Sequence, residues 1–327
     1  MNLRRDKGAI LIITLWILAI LAILSVGVAG RMGLELKLTG FYWDNMKALY
    51  LAKAGVERAA VIIDARDKNV NSLKDTWSNN EESDNPLFKQ IAVADIGTFT
   101  VSYPFSEDKV FYGVQDEERR VNINTMPKEV IQRLMDYFGI EDAAAIAASI
   151  EDWRDADATR EGGTPEDDYS SEGYPRKDNS FDVAEEVLLV KGMTPEKFDK
   201  IRDYITVYPK ASGKVDVNTA SLPVLYALGL SVDNSQVLIT TRAGEDGIEG
   251  TPDDAPFKNQ GEFNTFLNNL GAALPPESVN LPDFKSSYFR IISYGETNNK
   301  RSHKNATCVI RPPAMEEEAQ ILFWGEE

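Results

Sequence analysis

Gly8-Ala9-Ile10-Leu11-Ile12-Ile13-Thr14-Leu15-Trp16-Ile17-Leu18 opens an uncharged run that continues to Gly30. Arg4, Arg5, Asp6 and Lys7 stand before it, and Arg31 follows it. As a helix, residues 9–29 span about 31 Å at about 1.5 Å per residue, which matches a hydrocarbon core about 30 Å thick. Thirteen of these residues are Leu, Ile or Val. They contribute about −6 kcal/mol on an insertion scale, which Thr14 and Ser25 do not offset. The basic residues in front place positions 1–7 in the cytoplasm and everything after Arg31 across the membrane.

Three readings fit such a segment. A cleaved secretory signal has a shorter apolar region, about 7–15 residues, and a small-x-small site. Gly27-Val28-Ala29 supplies the site, but the run is too long and helical pattern continues past it. A plain anchor explains the run and leaves the sharp Lys7-Gly8-Ala9 junction unexplained. A prepilin-type leader explains both: a short basic peptide ending in Gly8, cut before Ala9, then a retained hydrophobic helix. We adopt the third.

The 327 residues carry a formal charge of −17. That balance argues against nucleic acid, whose phosphates need Lys and Arg, and it is compatible with divalent cations. Cys308 is the only cysteine and His303 the only histidine. No internal disulfide can form, and multi-His zinc sites are excluded. A catalytic triad would have a single choice of base. We therefore expect a non-enzymatic protein with no nucleic-acid partner.

Past Arg31 the helical spacing continues through Leu38, Tyr42, Met46, Leu49, Ala52, Val56, Ala60 and Ile63, and no proline occurs before Pro86. One helix of fifty-odd residues is expected, its later half packed on a globular domain. Residues 67–86 are polar and read as a loop. Residues 97–103, 109–114 and 119–123 read as strands of an antiparallel meander. Helical spacing then takes over at 126–138, 143–153, 181–190, 195–204, 223–230 and 263–270. Strand alternation returns at 288–294 and 306–310. Residues 315–327 read as an acidic tail with local packing at most. The expected fold is α+β: a long N-terminal transmembrane helix on a small antiparallel sheet, with a large inserted all-helical domain. The divisions are 1–8 leader, 9–30 span, 31–120 helix and first strands, 121–283 insertion, and 284–327 returning strands and tail.

Arg120-Val121-Asn122-Ile123-Asn124-Thr125 resembles Lys214-Val215-Asp216-Val217-Asn218-Thr219, each ahead of an apolar helix. Asn124 or Thr125, and Asn218 or Thr219, are suited to cap the helix that follows. The pattern also occurs in helix-hairpin-helix modules that hold DNA. Here the charge is wrong and no lysine-rich loop follows, so two packing modules are expected.

Fifteen carboxylates and four basic residues lie between positions 141 and 186. Asp155 and Asp157 have the i, i+2 spacing that begins many calcium loops, and Glu166, Asp167 and Asp168 follow nearby, without the rest of the EF-hand pattern. A second stretch, Gly244-Glu245-Asp246-Gly247-Ile248-Glu249-Gly250-Thr251-Pro252-Asp253-Asp254, has glycines that allow Asp246, Glu249, Asp253 and Asp254 to converge. Calcium takes six to eight oxygens, and crowded carboxylates favour a cation. The plainer reading is a pair of solvated acidic loops without metal. Glycosidase-type use of paired carboxylates lacks an aromatic sugar platform.

The leader junction Gly8-Ala9-Ile10-Leu11, Tyr50-Leu51-Ala52-Lys53-Ala54-Gly55-Val56-Glu57, Asp116-Glu117-Glu118 leading to Val121-Asn122-Ile123-Asn124-Thr125, and Asp152-Trp153-Arg154-Asp155 occur in that order. Glu185-Glu186-Val187-Leu188-Leu189-Val190-Lys191-Gly192-Met193 and Val215-Asp216-Val217-Asn218-Thr219 follow. In this order and spacing the chain resembles the type II secretion system minor pseudopilin K family over nearly its whole length. The resemblance implies cleavage by prepilin peptidase between Gly8 and Ala9, frequent N-methylation at Ala9, and a pilin-like domain with a helical insertion that binds calcium. It implies minor pseudopilins I and J as partners, and an inner-membrane anchor with a periplasmic domain at the tip of a pseudopilus. Most pilins carry Glu at the fifth mature position, and here that position is Ile13, as in the K branch. The alternative is a minor pilin of a type IV pilus or competence apparatus, which would usually lack the helical block.

Overall fold

The computed structural model describes residues 6–80, 86–106, 108–156, 169, 173–210, 213–313 and 319–326. One helix, α1 (Asp6–Asp64), is 59 residues long. Its N-terminal part is the one helix among the described residues long and apolar enough to cross a membrane, and the most apolar window is wholly exposed. Inside that window the Thr14 hydroxyl donates to the Leu11 carbonyl at 2.9 Å, so its polar group is satisfied within the helix as a bilayer requires.

The strands are β1 (Ile91–Val93), β2 (Gly97–Val101), β3 (Tyr103–Pro104), β4 (Val110–Phe111), β5 (Gln115–Asp116), β6 (Val121–Asn122), β7 (Ile205–Thr206), β8 (Val215–Asp216), β9 (Pro282–Asp283), β10 (Phe289–Thr297), β11 (His303–Arg311) and β12 (Gln320–Glu326). The main sheet is antiparallel and runs β1-β2-β10-β11-β12, with β5 also paired to β10. Alternate residues of β10 are buried. Phe289 and Ile291, with Phe99, Val101, Ala306, Cys308 and Ile310, form one core with Ala52, Val56, Ala59 and Ile63 of α1.

Two glycines set the distance between helix and sheet. A Cβ on Gly295 would stand 2.2 Å from the Ala48 carbonyl oxygen, and one on Gly55 would stand 2.1 Å from Ser293 Oγ. Neither residue needs its backbone freedom here. Each is glycine because the two layers meet across it.

The meander expected through residues 109–123 is not formed. β3 and β4 make a separate two-stranded hairpin, and β6 pairs in parallel with β7, inside the helical block. Two or three residues per strand carry too little periodicity to reveal a partner. The expected tail is also different: residues 320–326 form β12, the edge strand against β11. In β12, alternate side chains serve different neighbours, Phe323 packing on the helical core and Trp324 on the sheet core. The 67–80 stretch is irregular as expected but not solvated, since Asn71, Ser72, Leu73, Trp77 and Ser78 are buried.

The helical block is built twice. α2 (Lys128–Tyr137) and α3 (Ala143–Arg154) form the first pair; α4 (Pro195–Ile201) follows a 3-10 segment at Ala184–Leu189. α5 (Leu222–Ala227) and α6 (Val232–Arg242) form the second pair, followed by α7 (Gln260–Asn269). Residues 232–242 had no clear apolar stripe in the sequence, and only Ser235, Leu238 and Arg242 of α6 are buried. Each copy closes with a short parallel pairing, β6 with β7 and β8 with β9.

Asn124 and Asn218 do not cap the helices that follow them. Pro127 and Ser221 hold the N-cap positions without side-chain caps. The Asn124 amide instead accepts from the Phe181 N–H at 2.7 Å and donates to the Phe181 and Val207 carbonyls. Asn218 bonds the N–H and carbonyl of Phe257 at 2.8 and 2.9 Å. An amide carries both donor and acceptor, so one such side chain satisfies both polar groups of a distant residue.

Gly295→Ala forces a methyl group into the backbone of α1. We expect a loss of about 1–3 kcal/mol, read as a lower midpoint in thermal unfolding of the detergent-solubilised chain. Gly33→Ala, with nothing near its Cβ position and no left-handed backbone, is the control and should leave the midpoint unchanged or slightly higher. An unchanged midpoint for Gly295→Ala would refute the close contact.

Candidate cation loop and the joint beneath it

Gly8 and Ala9 lie inside α1, which runs through them from Asp6 without a break. Ile13 is 57% exposed on the apolar span, so no neighbour within the chain covers it. Of the first acidic stretch, Asp157, Glu166, Asp167 and Asp168 lie outside the described residues. Asp155 ends α3, its N–H bonded to the Glu151 carbonyl at 3.1 Å.

The second stretch folds as a loop directly after α6 and brings Asp246 and Asp253 together on one cleft, with Asp254 buried beside it. Asp253 Oδ2 accepts from the N–H groups of Glu245 and Asp246 at 2.8 and 3.1 Å. Asp246 Oδ1 accepts from Ile248 N at 2.7 Å, and Asp254 Oδ2 from Gly250 N at 3.0 Å. Asp246 and Asp253 line a cleft of about 370 Å³ with Thr251, Ile248, Asn79 and Lys109. The Thr251 hydroxyl and the Asp246 N–H hold the Asp253 carboxyl down at about 2. Burial pushes the Asp254 carboxyl up to about 6.

Glu249 turns away from this cleft. Its carboxylate takes the Arg242 guanidinium at 2.7 Å. With Glu249 committed, no three acidic, His or Cys side chains among the described residues group closely enough to hold a metal by themselves. The remaining oxygens nonetheless suit a hard cation. Asp253 Oδ1, Asp246 Oδ2 and the Ile248 carbonyl lie 2.6, 3.0 and 3.0 Å from Thr251 Oγ1. A hydroxyl has one proton, so two of these three contacts bring oxygens together with no hydrogen between them. Asp254 Oδ1 is buried with no hydrogen-bond partner among the described residues. Calcium accepts carboxylate, hydroxyl, carbonyl and water oxygens alike. The residues that fit it are Asp246, Asp253, Thr251 and Ile248.

Two features of the site were hidden in the sequence. Arg242 also donates to the carbonyls of Val217 and Ala220, and Arg154 donates in the same way to Ile123 and Met126. Each arginine ends the second helix of its unit and locks the turn at the start of that unit. Each is followed by an acidic stretch, so the two stretches occupy equivalent places in the duplication. Extending the Asn-Thr repeat downstream to the next helix-terminal arginine would have revealed this.

The second hidden feature is the joint between sheet and helical block, made by three successive carboxylates. Glu117 is fully buried. It takes Arg290 of β10 through both oxygens at 2.7 Å, and the Thr206 hydroxyl of β7 at 2.6 Å. Burial opposes its charge, but Arg290 and Arg120 bring its carboxyl down to about 2. Asp116 accepts from Thr219 of the second unit at 2.6 Å. Glu118 accepts from Ser287 N, and its carbonyl accepts from Asp216 N at 3.0 Å. Burial pushes Asp116 up to about 6 and Glu118 up to about 8, and raises Asp216.

Comparison with known proteins places this architecture. Residues 107–210 match the family model described as Type II secretion system (T2SS), protein K. The chain is 23% identical to Type II secretion system protein K of Aeromonas hydrophila, across 94% of this chain and 93% of that protein. It is 24% identical to the protein of that name from Pseudomonas aeruginosa, across 91% and 87%. A chain in the crystal structure of the GspK-GspI-GspJ complex from the enterotoxigenic Escherichia coli Type 2 Secretion System shares the fold. The TM-score is 0.60 at 14% identity, covering 91% of this chain and 99% of that one. The resemblance read from the sequence is borne out, and so is the α+β, pilin-like fold.

The joint has a pH signature. Carboxyls raised above their unfolded values bind protons more strongly in the folded state, so their stabilisation is complete below about pH 4. It is lost as pH rises through the folded values of about 6 for Asp116 and about 8 for Glu118. The melting temperature should therefore fall between pH 6 and pH 8.5, and Glu118→Gln should flatten that slope. A wild-type midpoint that rises across this window would contradict the joint's electrostatics.

Proposed function

We propose that this chain, a relative of type II secretion system protein K, is a minor pseudopilin at the tip of a secretion pseudopilus. In this reading it initiates or caps assembly and catalyses nothing. Prepilin peptidase cuts between Gly8 and Ala9, and residues 9–30 anchor the subunit in the inner membrane until it enters the filament. The sheet and helical block lie in the periplasm, and the partners are minor pseudopilins I and J. Calcium occupies the loop around Asp246 and Asp253. The name of the structural neighbour, a complex of K with I and J, supports the choice of partners.

The observation that carries the reading is the stretch of α1 beyond the span. The helix first becomes buried at Ala48; before it Met32, Leu34, Leu36, Leu38, Phe41, Tyr42, Trp43 and Met46 are 46–74% exposed on several faces. The sequence pattern had Leu38, Tyr42 and Met46 facing the globular domain; Leu38 lies beyond it, and Tyr42 and Met46 meet Val93 and Ile96 only across an open groove. Although Arg31, Glu35, Lys37, Asp44 and Lys47 share this stretch, so many large apolar side chains left in water mark a surface that another chain covers. Continuous with this stretch, Tyr42, Trp43, Met46, Tyr50, Val93 and Ile96 line an apolar groove of about 700 Å³. Packed helices of other pseudopilins supply that cover. Ile13 fits a subunit with none above it, because a carboxylate at that depth without a partner is costly.

Two outcomes are expected in cells carrying the cognate secretion genes. Gly8→Val should leave the precursor uncut, while wild type loses eight residues; cleavage after Ala29 would refute the pilin reading. A photo-crosslinker at Met46 should join the chain to pseudopilin I or J. A crosslinker that stays unreacted with both, while both are expressed, would refute the helix as assembly surface.

A further inference from the structure

The last strand, β12, joins three parts of the molecule. Phe323 stands across from Val309 of β11, and both pack on the helical core. Trp324 stands across from Cys308, and both pack on the core between the sheet and α1. Glu326 reaches α1 itself. Its carboxylate takes Lys53 Nζ at 2.9 Å, and the same ammonium lies 5.5 Å from the centre of the Trp324 ring. The ladder between β11 and β12 is interrupted where these contacts change sides. Val309 pairs with Phe323 and Ile310 with Ile321, so Leu322 is an extra residue with no partner on β11. A bulge of this kind takes one residue out of the ladder and turns it elsewhere. Here the Leu322 carbonyl accepts from the Tyr208 hydroxyl at 3.3 Å, and Tyr208 follows β7 in the first helical unit.

Each of these holds is weak. None of the seven residues of β12 is buried, and only Phe323, Trp324 and Gly325 are half-buried. Both partners of the Lys53–Glu326 pair are more than a third exposed, where an ion pair contributes little. The neighbouring strand does not rely on β12 for its place. β11 pairs with β10 from Ile310 back to His303, and Ala306, Cys308, Val309 and Ile310 are buried. An element with few buried contacts opens locally, at a lower free energy than the whole fold. Cys308, the only cysteine, lies beneath this strand, and burial pushes its thiol up to about 12. A thiol so placed is inert to alkylation while it stays covered.

We propose that β12 is a releasable strap: closed, it fastens the first helical unit to the sheet edge and to α1, and it opens as a unit while β10 and β11 stay paired. Opening frees the Tyr208 hydroxyl, uncovers the patch of helical core under Phe323 and lifts Trp324 off Cys308. The first unit is then tied to the sheet through the joint at Glu117 and no longer at the edge strand.

The test uses the full chain in detergent, with hydrogen exchange read strand by strand and iodoacetamide as the probe of Cys308. Amides of 320–326 should exchange faster than those of β10 by about ten-fold or more. Phe323→Ala should raise exchange at 320–326 and alkylation of Cys308 by about ten-fold. Exchange at 205–208 should rise alongside, with β10 unchanged. Lys53→Met, at an exposed pair that folding does not depend on, should raise the same readings by about three-fold. Wild-type β12 that exchanges as slowly as β10 would overturn the strap, as would β10 speeding up as much as β12 in both variants. So would faster exchange at 320–326 with 205–208 and Cys308 unmoved, because the strand would then be a frayed edge that fastens nothing.

Discussion

One buried carboxylate holds the molecule's two architectures together. Glu117 has no exposed surface, and its charge is matched by Arg290 from the sheet and Arg120 beside it. Removing one partner of such a group costs about 3–5 kcal/mol, because the other is left charged in a low-dielectric interior. The paired geometry therefore fixes how β10 meets β7, and with it how the first helical unit sits on the sheet. Asp116 and Glu118, on either side, reach the second unit and the turn before β10. Three consecutive acidic residues at a domain junction serve three different contacts.

The long apolar helix, the broad α+β class and the placement of a helical block between strands were all legible in the sequence, because long periodic segments announce themselves. The short strands were not. β6 and β8 are two residues each, and their partners are 84 and 67 residues away along the chain, from Val121 to Ile205 and from Val215 to Pro282. Nothing local encodes such a partner. The duplication was half visible. The Asn-Thr turns repeated in plain sight, but Asn124 and Asn218 were read as caps, the commonest local use of that residue, when they serve residues dozens of positions downstream.

The acidic loops show the same limit. Glycine spacing suggested that Asp246, Glu249, Asp253 and Asp254 would converge; Asp246 and Asp253 share a cleft, while Asp254 turns to the Gly250 N–H. It gave no sign that Glu249 would leave to meet Arg242, since that depends on where α6 ends. Hydrogen bonds and burial then divide the remaining acids: the Thr251 hydroxyl and backbone N–H groups hold Asp253 low, and burial raises Asp254. The tail was missed for a related reason. Gln320-Ile321-Leu322-Phe323-Trp324 has little alternation, because β12 packs against the helical core on one side and the sheet on the other.

From these parts a division of labour emerges. The first half of α1 is built for an apolar environment, its second half for the sheet, and the stretch between them for helices it does not itself supply. That middle stretch is the link from architecture to the proposed role, and it makes association with pseudopilins the central claim. The most direct measurement is light scattering on size-exclusion peaks of residues 31–327 mixed with the soluble domains of cognate pseudopilins I and J at micromolar concentration. A single peak with the mass of one copy of each is expected. Three separate monomer peaks, with each domain folded by circular dichroism, would contradict it.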